Sequence, residues 1–209
     1  MLALVLFGDV IRSRRDAPAA TDWLRTLAAD LNAAYPDGQR LAAFEFTQGD
    51  ELQGLLAPGA NAIAAIVRGT LHPDARPMRW VVVAGEVDPG HGPATQRSGP
   101  AFVTARERLA QANIRRERVA LVSGDASTDE LLDGLGPILG ELLADLTTRQ
   151  RQIARLILVD GLRRSEAAEA LRVSRATISV AADRAHLRSI GDLARVLHVL
   201  LDRATMGSQ

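Results

Sequence analysis

Two Gly-Asp dipeptides carry the first candidate chemistry. Asp9 lies in Phe7-Gly8-Asp9-Val10-Ile11-Arg12-Ser13-Arg14, and Asp50 in Thr47-Gln48-Gly49-Asp50-Glu51-Leu52. Two carboxylates held close repel unless a cation neutralises them. Oxygen-only ligation suits Mg²⁺ or Mn²⁺, and such an ion also bridges the phosphate oxygens of a nucleotide. Gly8 and Gly49 would let phosphates approach the backbone, and Ser13 and Arg14 would meet their charge. Taken singly, each Gly-Asp also reads as an ordinary turn, with Asp9 free to cap a helix.

The pairing depends on a sheet that brings these segments together. Residues 2–7 form a continuous apolar run, as in a strand buried on both faces. Residues 21–34 carry Trp23, Leu24, Leu27, Leu31 and Ala34 at helical spacing, with Thr21 at the N-cap. Residues 41–46 and 51–56 read as a hairpin turning at Gln48-Gly49-Asp50. Pro58-Gly59 breaks the chain, 61–71 is helical with Ile63, Ile66 and Val67 inward, and 78–84 is a strand. The order β-α-β-β-α-β predicts an α+β fold of the split βαβ, ferredoxin-like kind. In that arrangement Asp9 and Asp50 meet at one end of the sheet. A Gly- and Pro-rich loop follows at 88–99, then a helix at 100–112, a strand at 119–122 and a helix over 127–146 with breaks at Gly134, Gly136 and Pro137.

The C-terminal part carries a different chemistry. Residues 148–159 read as a helix stopped by Gly161, and 164–171 as a short second helix. Small Ala168 lets two helices cross closely, Leu171, Val173 and Ile178 fill the space between them, and Ser174 caps the next helix. This is a helix-turn-helix pattern, and residues 174–184 are expected in the major groove of double-stranded DNA. The candidate DNA-binding set is Arg164, Arg172, Ser174, Arg175, Thr177, Ser179 and Arg184, the first, second and last of them toward phosphates. The alternative is a helical protein-interaction module with an ordinary basic face. Residues 189–201 form an amphipathic helix through Ile190, Leu193, Val196, Leu197, Leu200 and Leu201, and 204–209 read as a frayed tail.

Composition bounds what else is possible. The 209 residues include 25 basic and 25 acidic side chains, and the basic ones are all arginine. The neutral total hides a front of 146 residues at −5 and a rear at +5, which suggests two parts with different partners. The absence of cysteine excludes disulfides, thiolate catalysis and Cys-ligated metal. No apolar run approaches a membrane helix, and the N-terminal run reads as a strand rather than a signal peptide, so no membrane contact and a cytoplasmic location are expected. His72, His91, His186 and His198 are scattered without ligand spacing, and no Walker-type phosphate loop is present.

Residues 1–143 resemble the SatD family through Gly8-Asp9-Val10-Ile11-Arg12-Ser13-Arg14, Thr47-Gln48-Gly49-Asp50-Glu51-Leu52-Gln53-Gly54-Leu55-Leu56 and Gly99-Pro100-Ala101-Phe102-Val103-Thr104-Ala105-Arg106-Glu107. The same motifs resemble the palm-type domain of class III nucleotidyl cyclases, and the hairpin is similar to the Gly-Gly-Asp-Glu-Phe signature of diguanylate cyclases, with Gln48 and Leu52 substituting its ends. The resemblance implies a two-metal site at Asp9 and Asp50, a strand end at Gly85-Glu86-Val87, and nucleotide contacts from Arg106 and Arg108 on the helix after Gly99. Thr104 falls where that family has Asn, and Phe46 stands near its base-selecting Lys. Residues 146–185, with the lead-in Leu146-Thr147-Thr148-Arg149-Gln150-Arg151-Gln152, resemble sigma-factor region 4 and LuxR-type helix-turn-helix modules, except that Arg172 stands where Gly is frequent.

These readings divide the chain into 1–143 and 144–209. They predict a homodimeric bacterial transcription regulator that binds a nucleotide or phosphate ligand with Mg²⁺ or Mn²⁺. The competing prediction is a nucleotidyl cyclase, or related phosphoryl-transfer enzyme, with a partner-docking tail.

Overall fold

The computed structural model describes residues 1–13, 16–47 and 50–206. Its centre is β1 (Leu2–Val10), whose apolar run is buried on both faces. Around it lie β2 (Arg40–Phe46), β3 (Glu51–Leu56), β4 (Met78–Glu86) and β5 (Val119–Val122), in the order β2-β3-β1-β4-β5. All neighbours are antiparallel except β4 and β5, which are parallel. The fold is α+β.

The period-2 alternation of β1 divides the core. Leu4 and Leu6 face a layer containing α1 (Ala17–Ala34), α2 (Ala62–Thr70) and α4 (Ala126–Ala144). Ala3, Val5 and Phe7 face α3 (Pro100–Arg115), where Phe7 and Phe102 lie with ring centroids 6.0 Å apart. After α4 come α5 (Thr148–Ala154), α6 (Arg164–Ala170), α7 (Arg175–Arg184) and α8 (Leu187–Met206). The core that holds Leu4 and Leu6 runs without a break into Ile153, Ala167, Ile178, Leu197 and Leu201. Helix α8 packs on α4 and α2, so the C-terminal helices share one apolar core with the sheet.

Several local expectations need correction. Asp16, not Thr21, caps α1: its carboxylate accepts from the Ala19 N–H, and Pro18 sits in the first turn, where its missing N–H is harmless. Helix α4 runs unbroken through Gly134, Gly136 and Pro137. Further along, a Cβ at Gly140 would lie 2.9 Å from Arg118 Cβ, so glycine there permits close contact between the helix and the start of β5. The helix expected over 148–159 changes character at Arg155, where Arg155–Val159 continues as a π-helical segment. Val196 is exposed rather than inward, and Ala204–Met206 belong to α8 rather than a frayed tail. Among the described residues, no helix is long and apolar enough to cross a membrane.

Candidate functional site

Strand pairing brings the two aspartates together. Asp9 stands opposite Glu51 in the β1–β3 register, and the Val10 N–H donates to the Asp50 carbonyl at 3.0 Å. The Ser13 hydroxyl donates to the Asp50 carboxylate. Asp9 is opposite Arg79 on the other side, and Arg79 Nη1 donates to its Oδ2 at 3.2 Å. Arg79, only 6% exposed, is held by a second bond from Nε to the Glu117 carbonyl at 3.1 Å.

The electrostatics reflect this crowding. Burial, and next the Asp50 charge, raise the Asp9 carboxyl to about 6 against the pull of Arg79. The two carboxylates open into a cleft of about 740 Å³ whose rim is cationic: Arg12, Arg116 and Arg118 line it with Arg79 and Asn113. Arg12 and Arg116 are left-handed, with φ of 62° and 60°. The oxygen-only donors match a hard cation held by one or two carboxylates with phosphate and water completing its shell. Among the described residues there is no group of three or more His, Asp or Glu suited to a metal.

The remaining predicted residues of this site divide sharply. Arg14 and Gly49 lie outside the described residues. Gly8 serves packing: an added Cβ would lie 2.9 Å from both Met78 Cε and the Trp80 ring, so its open side faces those side chains rather than a phosphate. Arg108 is buried and committed to Glu117 at 3.0 Å and Asp133 at 2.8 Å, which removes it as a phosphate ligand. Arg106 is exposed on α3 and is not among the cleft-lining residues described. Gly85-Glu86 sits at the far end of the sheet, since Glu86 pairs with Leu2 while Asp9 pairs with Arg79. The seven-residue offset along β1 is about 23 Å.

The first half of α3, with Thr104 and Arg106, starts near that far end, where Ala101 Cβ approaches the Gly85 position. The end of α3 that reaches the aspartates carries Asn113 and Arg116. Sequence reasoning missed Arg12, Arg79, Asn113, Arg116 and Arg118. The available signal was Arg79 at the start of an otherwise apolar strand.

A second candidate surface is built on α6 and α7. Helix α6 ends in a Schellman turn: the Val173 N–H donates to the Ala168 carbonyl at 3.0 Å and the Arg172 N–H to Glu169 at 3.1 Å. Such a turn needs a left-handed residue, and Arg172 adopts φ 53°. Ser174 then caps α7, its Oγ accepting from the Thr177 N–H at 3.1 Å and lying 2.9 Å from Thr177 Oγ1. Buried Ala167, Ala168 and Ile178 hold the pair together, with Leu171 and Val173 partly buried against them.

The outward side of α7 is left open. Arg175, Thr177, Val180 and Arg184 are exposed, while Ser179 is half-buried. A shallow groove joins Thr177, Val180 and Arg184 to Thr147, Arg149 and Gln150 at the start of α5. Arg164 is engaged elsewhere, pairing with Asp183 at 2.9 Å. Among the described residues, no ion pair holds Arg172, Arg175 or Arg184. Comparison with known protein families and with characterised proteins finds no match to this chain.

Proposed function

We propose that this chain is a DNA-binding transcription regulator of bacterial, SatD-like type. In this reading α6 and α7 form a helix-turn-helix, α7 lies in the major groove, and residues 144–209 act as the DNA-reading part. The carrying observation is the open face of α7, where Arg175, Thr177 and Arg184 are exposed beside Arg149 and free arginine charge remains unpaired. Arg175 and Thr177 near the N-terminus of α7 reach base edges, Ser179 lies at the margin, and Arg172 and Arg184 meet phosphates. Arg164 contributes only when it leaves Asp183. A homodimer doubles the half-sites read.

Fluorescence-anisotropy titration of the full chain against duplex DNA at several salt concentrations tests this. Log affinity falls linearly with log salt, and Arg184→Ala lowers the slope by about 1. A salt-independent signal, or equal slopes for both proteins, refutes the groove assignment.

The palm-like, ferredoxin-type residues 1–143 bind a nucleotide or related phosphate with Mg²⁺ or Mn²⁺ in the same reading. The carboxylates of Asp9 and Asp50 hold the ion, and Arg12, Arg116 and Arg118 meet phosphate oxygens. When bound, the ion neutralises the carboxylate pair and clamps phosphate charge. The rim also favours the second reading, a nucleotidyl cyclase or related phosphoryl-transfer enzyme, because paired carboxylates beside several arginines suit charge developing on a transferred phosphoryl group. Pyrophosphate release from ATP or GTP with Mn²⁺, lost in both Asp9→Asn and Asp50→Asn, selects the enzyme. Nucleotide binding without release selects the sensor.

A further inference from the structure

We propose that the pocket between the end of α2 and the α5–α6 region is a binding site for small monocarboxylic acids with an apolar body. The pocket measures about 440 Å³, within the range of small-molecule sites. Leu71 and Pro73 form one wall, just beyond α2, and Leu156 and Leu171 supply apolar surface from the opposite side. Arg151 and Arg155 project from one turn of α5 and the start of the π-helical segment.

Both arginines carry unmet donors. Arg151 Nε and Arg155 Nη1 are buried without a hydrogen-bond partner. Among the described residues nothing else holds the Arg151 guanidinium, whereas Arg155 Nε donates to Asp160 at 3.3 Å. These two nitrogens are closed off from solvent, so the ligand is met by the guanidinium groups as they line the pocket, and a carboxylate is the planar acceptor that matches a guanidinium fork. Charge sets the valence of the ligand. Arg151 and Arg155 against Asp160 leave one net positive charge on the lining, enough for a monoanion. A phosphate dianion would bring a second negative charge beside Asp160 and against apolar walls.

The π-helical segment contributes Arg155 and Leu156 to the lining. Its i to i+5 bond, from the Asp160 N–H to the Arg155 carbonyl at 3.0 Å, replaces regular α-helical spacing at the residue that faces the pocket. Arg155 also acts across the pocket. Burial first, and then the Arg155 charge, lower the pKa of His72, which lies between Leu71 and Pro73. Leu171 ends α6 and directly precedes the left-handed Arg172, so the site abuts the turn into α7. The proposal stands apart from the DNA reading, because its test reads ligand binding alone.

The test is an amide-resolved NMR titration of the full chain with sodium hexanoate, sodium benzoate, 1-hexanol and inorganic phosphate. Hexanoate and benzoate give saturable shifts at the Leu71, His72, Arg151, Arg155, Leu156 and Leu171 amides, while hexanol and phosphate do not. Arg151→Gln weakens hexanoate at least about tenfold, a loss of about 1.4 kcal/mol, with an unchanged melting temperature. Arg155→Gln also removes the Asp160 pair, so Arg151→Gln is the deciding variant. Failure of both acids to saturate, preference for phosphate, or wild-type hexanoate affinity in Arg151→Gln overturns the proposal.

Discussion

Replacing Arg172 with Gly should make the protein more stable and a poorer DNA binder at once. Arg172 sits at φ 53° in the turn between α6 and α7, a conformation that disfavours a Cβ by about 1 kcal/mol at the low end of the usual range. Glycine removes that penalty but loosens the unfolded chain, returning about 0.5 kcal/mol. The net gain is about 0.5 kcal/mol. For a chain of this size, that corresponds to a rise of about 1–2 °C in melting temperature. The same substitution deletes one exposed guanidinium assigned to a phosphate, so the slope of log affinity against log salt falls by about 1. Arg172→Ala separates the effects, because it keeps the strained backbone and loses the charge. It should bind DNA like Arg172→Gly without the gain in stability. Calorimetric melting and salt-dependent anisotropy on the same samples provide both readouts. A melting temperature lowered by several degrees would refute the left-handed turn, and an unchanged salt slope would refute the phosphate assignment.

The Asp9 carboxyl, raised to about 6 from an ordinary 3.8, gives a pH dependence of definite sign. Between about pH 4 and pH 6 the folded state retains a proton that the unfolded state has lost, so Asp9 makes stability fall as pH rises through that window. Asp50→Asn removes a repulsive charge and should lower the Asp9 pKa in a carboxyl-detected NMR titration; no movement contradicts their proximity. Gly8→Ala drives a methyl into Met78 and Trp80 and should destabilise by about 1–3 kcal/mol in urea melts. A neutral result would show that Gly8 is not packed as described. Mn²⁺ should broaden the Asp9 and Asp50 resonances selectively, and equal broadening in an Asp9→Asn, Asp50→Asn double variant would remove the ion from this cleft.

Local chemistry in the chain was readable where one residue determines one feature. The apolar run of β1, the hairpin before Glu51, the Ser174 cap and the small Ala168 all act over a few residues. The nearness of Asp9 and Asp50 was readable too, because strand order follows from the succession of elements. The cationic rim was not. Arg79 reaches Asp9 only through antiparallel β1–β4 register, and Arg116 through the length of α3. A resemblance-based placement on Arg106 and Arg108 put the charge too early along that helix, and Arg108 is held by Asp133 from α4, a contact invisible to local pattern. Gly8 and Gly136 looked like turn or break residues, yet their role is to let neighbouring elements approach. The π-helical segment has no distinct apolar period, so it read as more α-helix.

The central claim, that α7 reads DNA sequence, is tested most directly by selecting binders from a random duplex pool with the wild-type chain and with Arg175→Ala. The wild type should enrich one motif, and Arg175→Ala should relax preference at a single base pair within it, at a discrimination of about 1–3 kcal/mol. No enriched motif, or an identical motif from both proteins, would contradict the assignment.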